Sequence, residues 1–175
     1  MILTGSEIQK QVKKGSITIE PFTENLLNPN SYNYRLGKTL RIVTNDIIDP
    51  RQEADFTEVT IPEEGYILEP DTLYLGSTVE KIGSEEFVTS LIGRSSVGRL
   101  GMYLQITADL GQLGRAHCWT LEIRVVQPLR VYAGMRIGQV SFWKPAGDID
   151  KLYTAGYTRF NTPHQNKAIV TGGKA

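Results

Sequence analysis

The sequence predicts a mainly β domain with a short N-terminal helix and few other short helices. Most of the chain consists of short apolar runs, and Pro, Gly, Asn and Asp separate them at close spacing. This pattern favours an all-β barrel or sandwich over alternating β and α units. The length of 175 residues suits one compact domain with a substantial core. We therefore expect residues 1–175 to form a single domain.

The N-terminal helix is predicted from its two ends and its apolar face. Thr4 and Glu7 have the spacing of a capping box. Ile8 and Val12 fall on one side of a helix, and Gly15 stands where a helix would stop. The sequence therefore predicts one short helix between Thr4 and Gly15.

Eleven later runs have the length and residue types of β-strands. These runs are Ser16–Ile19, Tyr32–Leu36, Leu40–Val43, Val59–Ile61, Tyr66–Leu68, Thr72–Ser77, Phe87–Ile92, Tyr103–Thr107, Trp119–Val126, Arg130–Tyr132 and Arg136–Trp143. The stretch that follows at residues 155–175 is polar and rich in Gly, Asn, Thr and Lys. It is predicted to be a mobile tail or a lid.

The charge balance excludes some classes of partner. Lys plus Arg equals Asp plus Glu at 19 each, so no net field attracts a nucleic acid polymer or a membrane surface. No apolar run approaches the length that spans a membrane, and the N-terminus is too polar for a signal peptide. A single cysteine, Cys118, excludes an internal disulfide and favours a reducing, cytoplasmic location. A phosphate-bearing ligand would have to be small, and individual Lys or Arg side chains beside it would have to bind its phosphates.

The same scarcity of cysteine makes a zinc site very improbable. Zinc-dependent nucleobase deaminases use a His or Cys ligand with a Cys-x-x-Cys pair. This chain offers only His117, Cys118 and His164, and the first two are sequence neighbours that cannot easily bind one ion. We expect no zinc.

The segment Gly93-Arg94-Ser95-Ser96-Val97-Gly98-Arg99 carries the densest functional signal. It follows a predicted strand, and its serines could cap a short helix whose free N–H groups favour an anion. Two arginines and two hydroxyls could also bind phosphate oxygens. An ordinary capped turn with two surface arginines explains these residue types equally well.

A second signal is Glu122 in the run Trp119–Val125. Alternation places Thr120, Glu122 and Arg124 on the face opposite the apolar side chains. A glutamate there could be solvated or paired across the sheet. Beside a pocket it could instead take a proton from water and pass it to a leaving amine.

Several segments in matching order resemble the dCTP deaminase branch of the dUTPase superfamily. The resemblance rests on residues 93–101 (GRSSVGRLG), Thr107-Ala108, Leu121-Glu122, residues 28–37 (NPNSYNYRLG) and residues 134–139 (GMRIGQ), as well as the opening residues 1–8. It implies a distorted, jelly-roll-like β-barrel and a homotrimer with active sites at the subunit interfaces. It also implies that Mg²⁺ binds with the nucleotide triphosphate rather than at a protein metal site.

The resemblance further implies a role for each matching residue. Glu122 would be the general base that activates water against cytosine C4. Ser95 would orient groups around the reacting amine, and Arg99 would hold the water and the glutamate. Arg94 and Ser96 would bind phosphates.

The loop after Ala108 departs from the family pattern. Ala108 itself would give a backbone contact near the base. Gln112 stands where the family usually has an aspartate, which in dUTPases activates the water that cleaves the triphosphate. An amide cannot act as that base, so pyrophosphate release would need Asp109 in a rearranged loop. Gln112 and Thr120 remain candidate substrate contacts.

Two further polar residues, Arg115 and His117, follow in this region. Each could be a solvated loop residue or an altered contact to the sugar or phosphates. In the tail, Tyr153, Arg159 and Gln165 are plausible equivalents of the residues with which the family closes a segment over the nucleotide. A disordered terminus is an alternative.

Three functions are compatible with these residues. The main prediction is hydrolytic deamination of dCTP to dUTP and ammonia, without zinc. A dUTPase or a bifunctional enzyme that gives dUMP is the first alternative. A nucleotide-binding relative without turnover is the second, although such a protein would have little need of Ser95, Arg99 and Glu122 together.

Overall fold

The structure, a computed structural model, describes residues 1–105, 108–154 and 162–163. These residues contain helices α1 (Gly5–Lys14) and α2 (Ser95–Gly98) and a 3₁₀ helix at Glu24–Leu26. The strands are β1 (Thr18–Glu20), β2 (Tyr32–Arg35), β3 (Thr39–Val43), β4 (Phe56–Thr60), β5 (Tyr66–Leu68), β6 (Tyr74–Ser84), β7 (Val88–Gly93), β8 (Met102–Leu104), β9 (Gly114–Val125), β10 (Leu129–Val131) and β11 (Arg136–Trp143). The prediction of a mainly β fold with few short helices is confirmed.

Helix α1 begins and ends as its sequence predicts. The hydroxyl oxygen of Thr4 accepts a hydrogen bond from the N–H of Glu7 at 3.4 Å. Gly15 has φ +86°, and its N–H donates to the carbonyls of the last turn. That left-handed conformation suits glycine and stops the helix. Ile8 is fully buried and fixes the helix to the core.

The strands form three sheets that position the chemistry-bearing segments. The largest has the order β4-β3-β6-β9-β8, with β1 also paired to β6. A second sheet has the order β2-β11-β7, and a third consists of β10 and β5. All the paired strands within these sheets are antiparallel. Strand β9 carries Glu122 in the largest sheet, whereas β7 leads into α2 from the second.

Each of the eleven predicted runs overlaps a strand, but four strands, β3, β4, β6 and β9, are longer than their runs, and β6 and β9 differ most. Strand β6 continues to Ser84 and β9 begins at Gly114, because the two remain paired beyond Ser77 and Thr120 through irregular register. The shifts lie between Ser77 and Lys81 and between Ile82 and Ser84. Such bulges break the two-residue alternation on which sequence patterns depend.

A buried ion pair joins the second sheet to β6. The side chain of Glu80 is fully buried, and its carboxylate accepts hydrogen bonds from Arg35 Nε at 2.6 Å and from the Arg35 backbone N–H at 2.9 Å. The hydroxyl of Thr78 donates to the Glu80 carbonyl at 2.7 Å. A buried carboxylate is tolerated only with such partners. The pair therefore ties β2 to β6 in one register.

Candidate active site

A cavity of about 600 Å³ lies beside β9 and the loop that precedes it. Five predicted site residues line it: Ala108, Gln112, Thr120, Glu122 and Tyr153. The structure therefore brings together residues that are up to 45 positions apart in the chain. Its polar wall comes from β9 and the preceding loop, and its apolar wall includes Leu73 and Leu75.

Strand β9 directs Glu122 toward the cavity. Leu121 and Ile123 on either side of it are fully buried in the core, so alternation turns Glu122 and Thr120 to the other face. Glu122 lies opposite Leu75 of β6, and its backbone carbonyl accepts from the N–H of Gln105 at 2.9 Å. In the described part of the chain, Glu122 is the one carboxylate that lines this cavity.

The loop with Gln112 is anchored to β7 by its backbone. The N–H of Leu91 donates to the Asp109 carbonyl at 3.0 Å, and the N–H of Gly111 donates to the Thr89 carbonyl at 2.8 Å. Asp109 is exposed and is not among the cavity residues. Asp109 is therefore not placed beside Gln112 in the cavity wall.

Tyr153 reaches the cavity through the backbone at the start of β9. Its N–H donates to the Leu113 carbonyl at 2.8 Å, and it forms a parallel bridge with Gly114. A Cβ at position 114 would lie 2.6 Å from the Tyr153 carbonyl oxygen, so this approach requires glycine. Arg159 and Gln165, the other predicted residues of the tail, lie outside the described residues.

His117 and Trp119 are aromatic residues of the same cavity. Their ring centroids are 4.5 Å apart, and the indole N–H of Trp119 donates to the Ile82 carbonyl at 2.9 Å. Burial lowers the pKa of His117 below its ordinary value, although its hydrogen bond to the Arg115 carbonyl opposes this shift. The sequence predicts His117 as either a solvated loop residue or an altered contact to the sugar or phosphates. The structure places it half-buried and beside the cavity.

Sequence reasoning did not find the apolar part of the cavity. Val43, Ile48, Ala54, Leu73 and Leu75 contribute to it. They come from β3, from the connection between β3 and β4, and from β6 with the turn before it. Apolar alternation marks such residues as core, and no local signal shows that they border a cavity.

The Arg94–Arg99 segment does not line this cavity within one chain. Arg94 precedes α2 as its N-cap, and no side chain caps the helix, because both serines lie inside the first turn. The prediction that the serines cap this helix is therefore wrong. Ser95, Ser96 and Arg99 are exposed, whereas Val97 is buried and anchors the turn.

Two side chains fix the backbone that leads into α2. The buried Tyr34 hydroxyl donates to the Ile92 carbonyl at 3.0 Å. The Gln139 amide donates to the Gly93 carbonyl at 3.4 Å and accepts from the Ser31 hydroxyl at 2.7 Å. Two consecutive carbonyls before Arg94 thus have side-chain donors. This holds the position of α2 relative to β2 and β11.

The described residues contain no group of three or more His, Cys, Asp or Glu side chains that could hold a metal ion. No helix in the described part of the chain is long and apolar enough to cross a membrane.

A family model and the most similar relatives point to the same protein family. A sequence model described as "dCTP deaminase-like" matches residues 2–145. A protein of Hathewaya histolytica is 48% identical over 162 residues, which is 93% of each chain. One of Leptospira biflexa serovar Patoc is 46% identical over 157 residues, or 90% of each chain. Both relatives are named "dCTP deaminase, dUMP-forming".

A solved structure shares the fold. The crystal structure of 2'-deoxycytidine 5'-triphosphate deaminase from Agrobacterium tumefaciens superposes with a TM-score of 0.64 at 23% sequence identity. The match covers 81% of this chain and 47% of that chain, so it spans about half of the larger protein. At this identity the likeness concerns the fold alone.

Proposed function

Because the chain belongs to the dCTP deaminase-like family, we propose that it removes the amino group of the cytosine base of dCTP and gives dUTP and ammonia. The family resemblance seen in the sequence motifs is confirmed at 42–48% identity to curated relatives. The observation that carries the proposal is the position of Glu122. It faces a cavity of nucleotide size, as the one carboxylate among the described residues that line it.

The proposed reaction needs a group that accepts a proton and later returns it. Glu122 would take a proton from a water molecule while the water oxygen bonds to cytosine C4. The same carboxyl group would then give a proton to the exocyclic nitrogen. The C4–N bond breaks, ammonia leaves, and the water oxygen remains as the C4 carbonyl of uracil. Water and dCTP are thus converted to dUTP and ammonia.

We propose that the site is completed by a second subunit of a homotrimer. Within one chain the cavity lacks Arg94, Ser95, Ser96 and Arg99, and three of these four side chains are exposed. A neighbouring α2 would supply Arg94 and Ser96 to the phosphates and Ser95 to the amine. The guanidinium of Arg99 would hold the attacking water against Glu122.

Magnesium is proposed to accompany the triphosphate. The cavity carries one carboxylate among its described residues, and the proposed reaction uses that carboxylate as a base. Phosphate oxygens are hard ligands of the kind that Mg²⁺ prefers, so the nucleotide itself suits the ion. When bound, the ion would offset phosphate charge. Arg94 and Ser96 would contact the complex of Mg²⁺ and the nucleotide triphosphate.

Two predictions concern the rest of the chain. The tail or lid predicted at residues 155–175 lies, except for residues 162 and 163, outside the described part of the chain, and Tyr153 just before it borders the cavity. The one cysteine supports a reducing, cytoplasmic compartment.

A second candidate function is formation of dUMP, and the names of the relatives favour it. Gln112 and the exposed position of Asp109 favour release of dUTP instead, because the described residues that line the cavity include no second carboxylate to activate water at the triphosphate. The test is turnover of dCTP, dCMP, CTP and dUTP side by side, with ammonia and pyrophosphate measured separately. Ammonia without pyrophosphate supports the first function, equal amounts of both support the second, and release of neither rejects both.

A further inference from the structure

Part of the cavity wall is entirely apolar, and we call this part the apolar arm. It consists of Val43, Ile48, Ala54, Leu73 and Leu75. None of these five side chains carries a charge or a hydrogen-bonding group. The polar side chains among the described residues of the cavity, including Thr120 and Glu122, lie on other parts of its wall. The cavity therefore offers a ligand two chemically different surfaces.

The apolar arm begins directly beside Glu122. Leu75 of β6 is the cross-strand partner of Glu122 on β9, and both residues line the cavity. Residues directly opposite each other in antiparallel strands share one face of the sheet, with Cβ atoms about 4.5–5.5 Å apart. Any group that reacts at the carboxylate of Glu122 therefore lies within a side-chain length of Leu75.

From Leu75 the apolar arm continues across the sheet, away from β9. Leu75 pairs with Arg41 of β3, and Val43 lies two residues further along β3 on the same face as Arg41. Ile48 and Ala54 belong to the connection between β3 and β4. The apolar arm thus runs from Glu122 over β6 toward β3, across the strands rather than along them.

The groups of a deoxycytidine nucleotide differ in how well they suit this surface. The triphosphate is charged, so its transfer to an apolar wall is strongly unfavourable. N3 and O2 of the base are hydrogen-bond acceptors, which would lose water there without gaining a donor. The C5–C6 edge carries only C–H groups, and C5 is bonded directly to C4. With C4 at Glu122, the C5 edge is therefore the part of the base that fits against Leu75.

We propose that the apolar arm binds an alkyl group at C5 of the base, so that the protein deaminates 5-methyl-dCTP as well as dCTP. This inference rests on the proposed function, because it takes C4 of the base to lie at Glu122. The reaction has the same balance: the water oxygen bonds to C4, the C4–N bond breaks, and 5-methyl-dCTP and water give dTTP and ammonia. The methyl group takes no part in the chemistry.

The binding test compares 5-methyl-dCTP with dCTP, each with Mg²⁺, by titration calorimetry. Burial of one methyl group should make 5-methyl-dCTP bind to the wild type about fourfold more tightly than dCTP. Leu75→Ala removes the apolar contact nearest to C5 and should reduce this ratio to less than about twofold. Leu26→Ala is the matched control, because Leu26 is 6% exposed where Leu75 is 7% exposed, and it lies outside the cavity. It should keep the wild-type ratio.

The turnover test measures ammonia release from both nucleotides by the wild type. A contact that is kept from the bound substrate to the transition state raises kcat/KM. We therefore expect kcat/KM for 5-methyl-dCTP to be at least equal to that for dCTP, with dTTP as the product.

Two outcomes overturn the inference, and neither needs a variant to fold. One is equal or weaker binding of 5-methyl-dCTP than of dCTP to the wild type. The other is ammonia release from dCTP alone. Ammonia release from neither nucleotide rejects the proposed function instead, and tighter binding of 5-methyl-dCTP would then still support the apolar arm as a site for the alkyl group.

Discussion

Gly111 lies so close to Trp119 that a Cβ at position 111 would be 2.5 Å from Cη2 of the indole. The same Cβ would also collide with the hydroxyl of Thr89. Because Gly111 is bonded to Gln112, the indole ring and the hydroxyl together determine where the Gln112 loop can lie. The position of Gln112, a candidate substrate contact, therefore depends on a residue without a side chain at position 111.

Gly111→Ala is predicted to displace this loop. Overpacking of this kind costs about 1–3 kcal/mol of the free energy of unfolding. The loop is also expected to move away from β7, which should raise the KM for dCTP. Gly93→Ala is the matched control for stability, because a Cβ there would meet nothing within 4 Å. Equal stability of the two variants in urea would contradict the assigned packing.

Tyr34→Phe should weaken nucleotide binding without touching the cavity. The variant removes the hydrogen bond to the Ile92 carbonyl, two residues before Arg94, at a cost of about 1 kcal/mol. We expect the KM for dCTP to rise more than kcat falls, because α2 carries the proposed phosphate contacts.

Tyr32→Phe is the control for Tyr34→Phe. Tyr32 is equally buried, and its hydroxyl accepts from the Thr23 N–H at 3.0 Å, a contact outside the β7–α2 junction. Steady-state kinetics and urea unfolding of both variants separate positioning from stability. An equal rise of KM in the two would show that Tyr34 has no specific effect on α2.

Glu80→Ala is predicted to destabilise the fold strongly. It leaves the guanidinium of Arg35 without its buried partner, and breaking such a pair costs about 3–5 kcal/mol. Glu58→Ala breaks the pair with Arg41 at 3.0 Å, where Glu58 is 49% exposed, and should cost at most about 1 kcal/mol. The midpoints of urea unfolding measure how much each variant is destabilised. Similar shifts in the two variants would mean that burial of Glu80 contributes little.

Much of the fold follows from local sequence signals. The cap at Thr4, the stop at Gly15 and all eleven strand positions were predicted, because period-two alternation and turn residues act over short distances. Alternation also placed Glu122 on the correct face of β9. The extension of β6 to Ser84 was missed, because the irregular pairing with β9 and the burial of Glu80 by Arg35 depend on residues far apart in the chain.

Less of the candidate site than of the fold could be predicted from the sequence. The matched motifs placed Arg99 and Glu122 in one site, whereas a single chain keeps Arg99 outside the cavity. No intrachain pattern can tell whether two motifs meet within one subunit or between two. The contact between the rings of His117 and Trp119 was also not predicted, although residues two apart on a strand share one face.

Mixing two inactive variants tests the proposed interface. Arg99→Ala and Glu122→Gln should each be inactive, yet a co-refolded equal mixture should regain activity. In a random mixture, about a quarter of interfacial sites combine an intact Arg99 from one subunit with an intact Glu122 from its neighbour. Ammonia release near that fraction of wild type supports an interfacial site. No recovery, with mixed oligomers verified by mass, would place both residues in one subunit or outside the site.

The most direct test of the account is ammonia release from dCTP by the wild type and by Glu122→Gln. The variant keeps the shape of the side chain but removes the base, so we predict nearly unchanged dCTP binding and a rate lower by about 10²–10⁴-fold. Glu58→Gln, at an exposed glutamate of the same sheet, should keep the wild-type rate. A Glu122→Gln rate close to that of the wild type would contradict the role of Glu122 as general base.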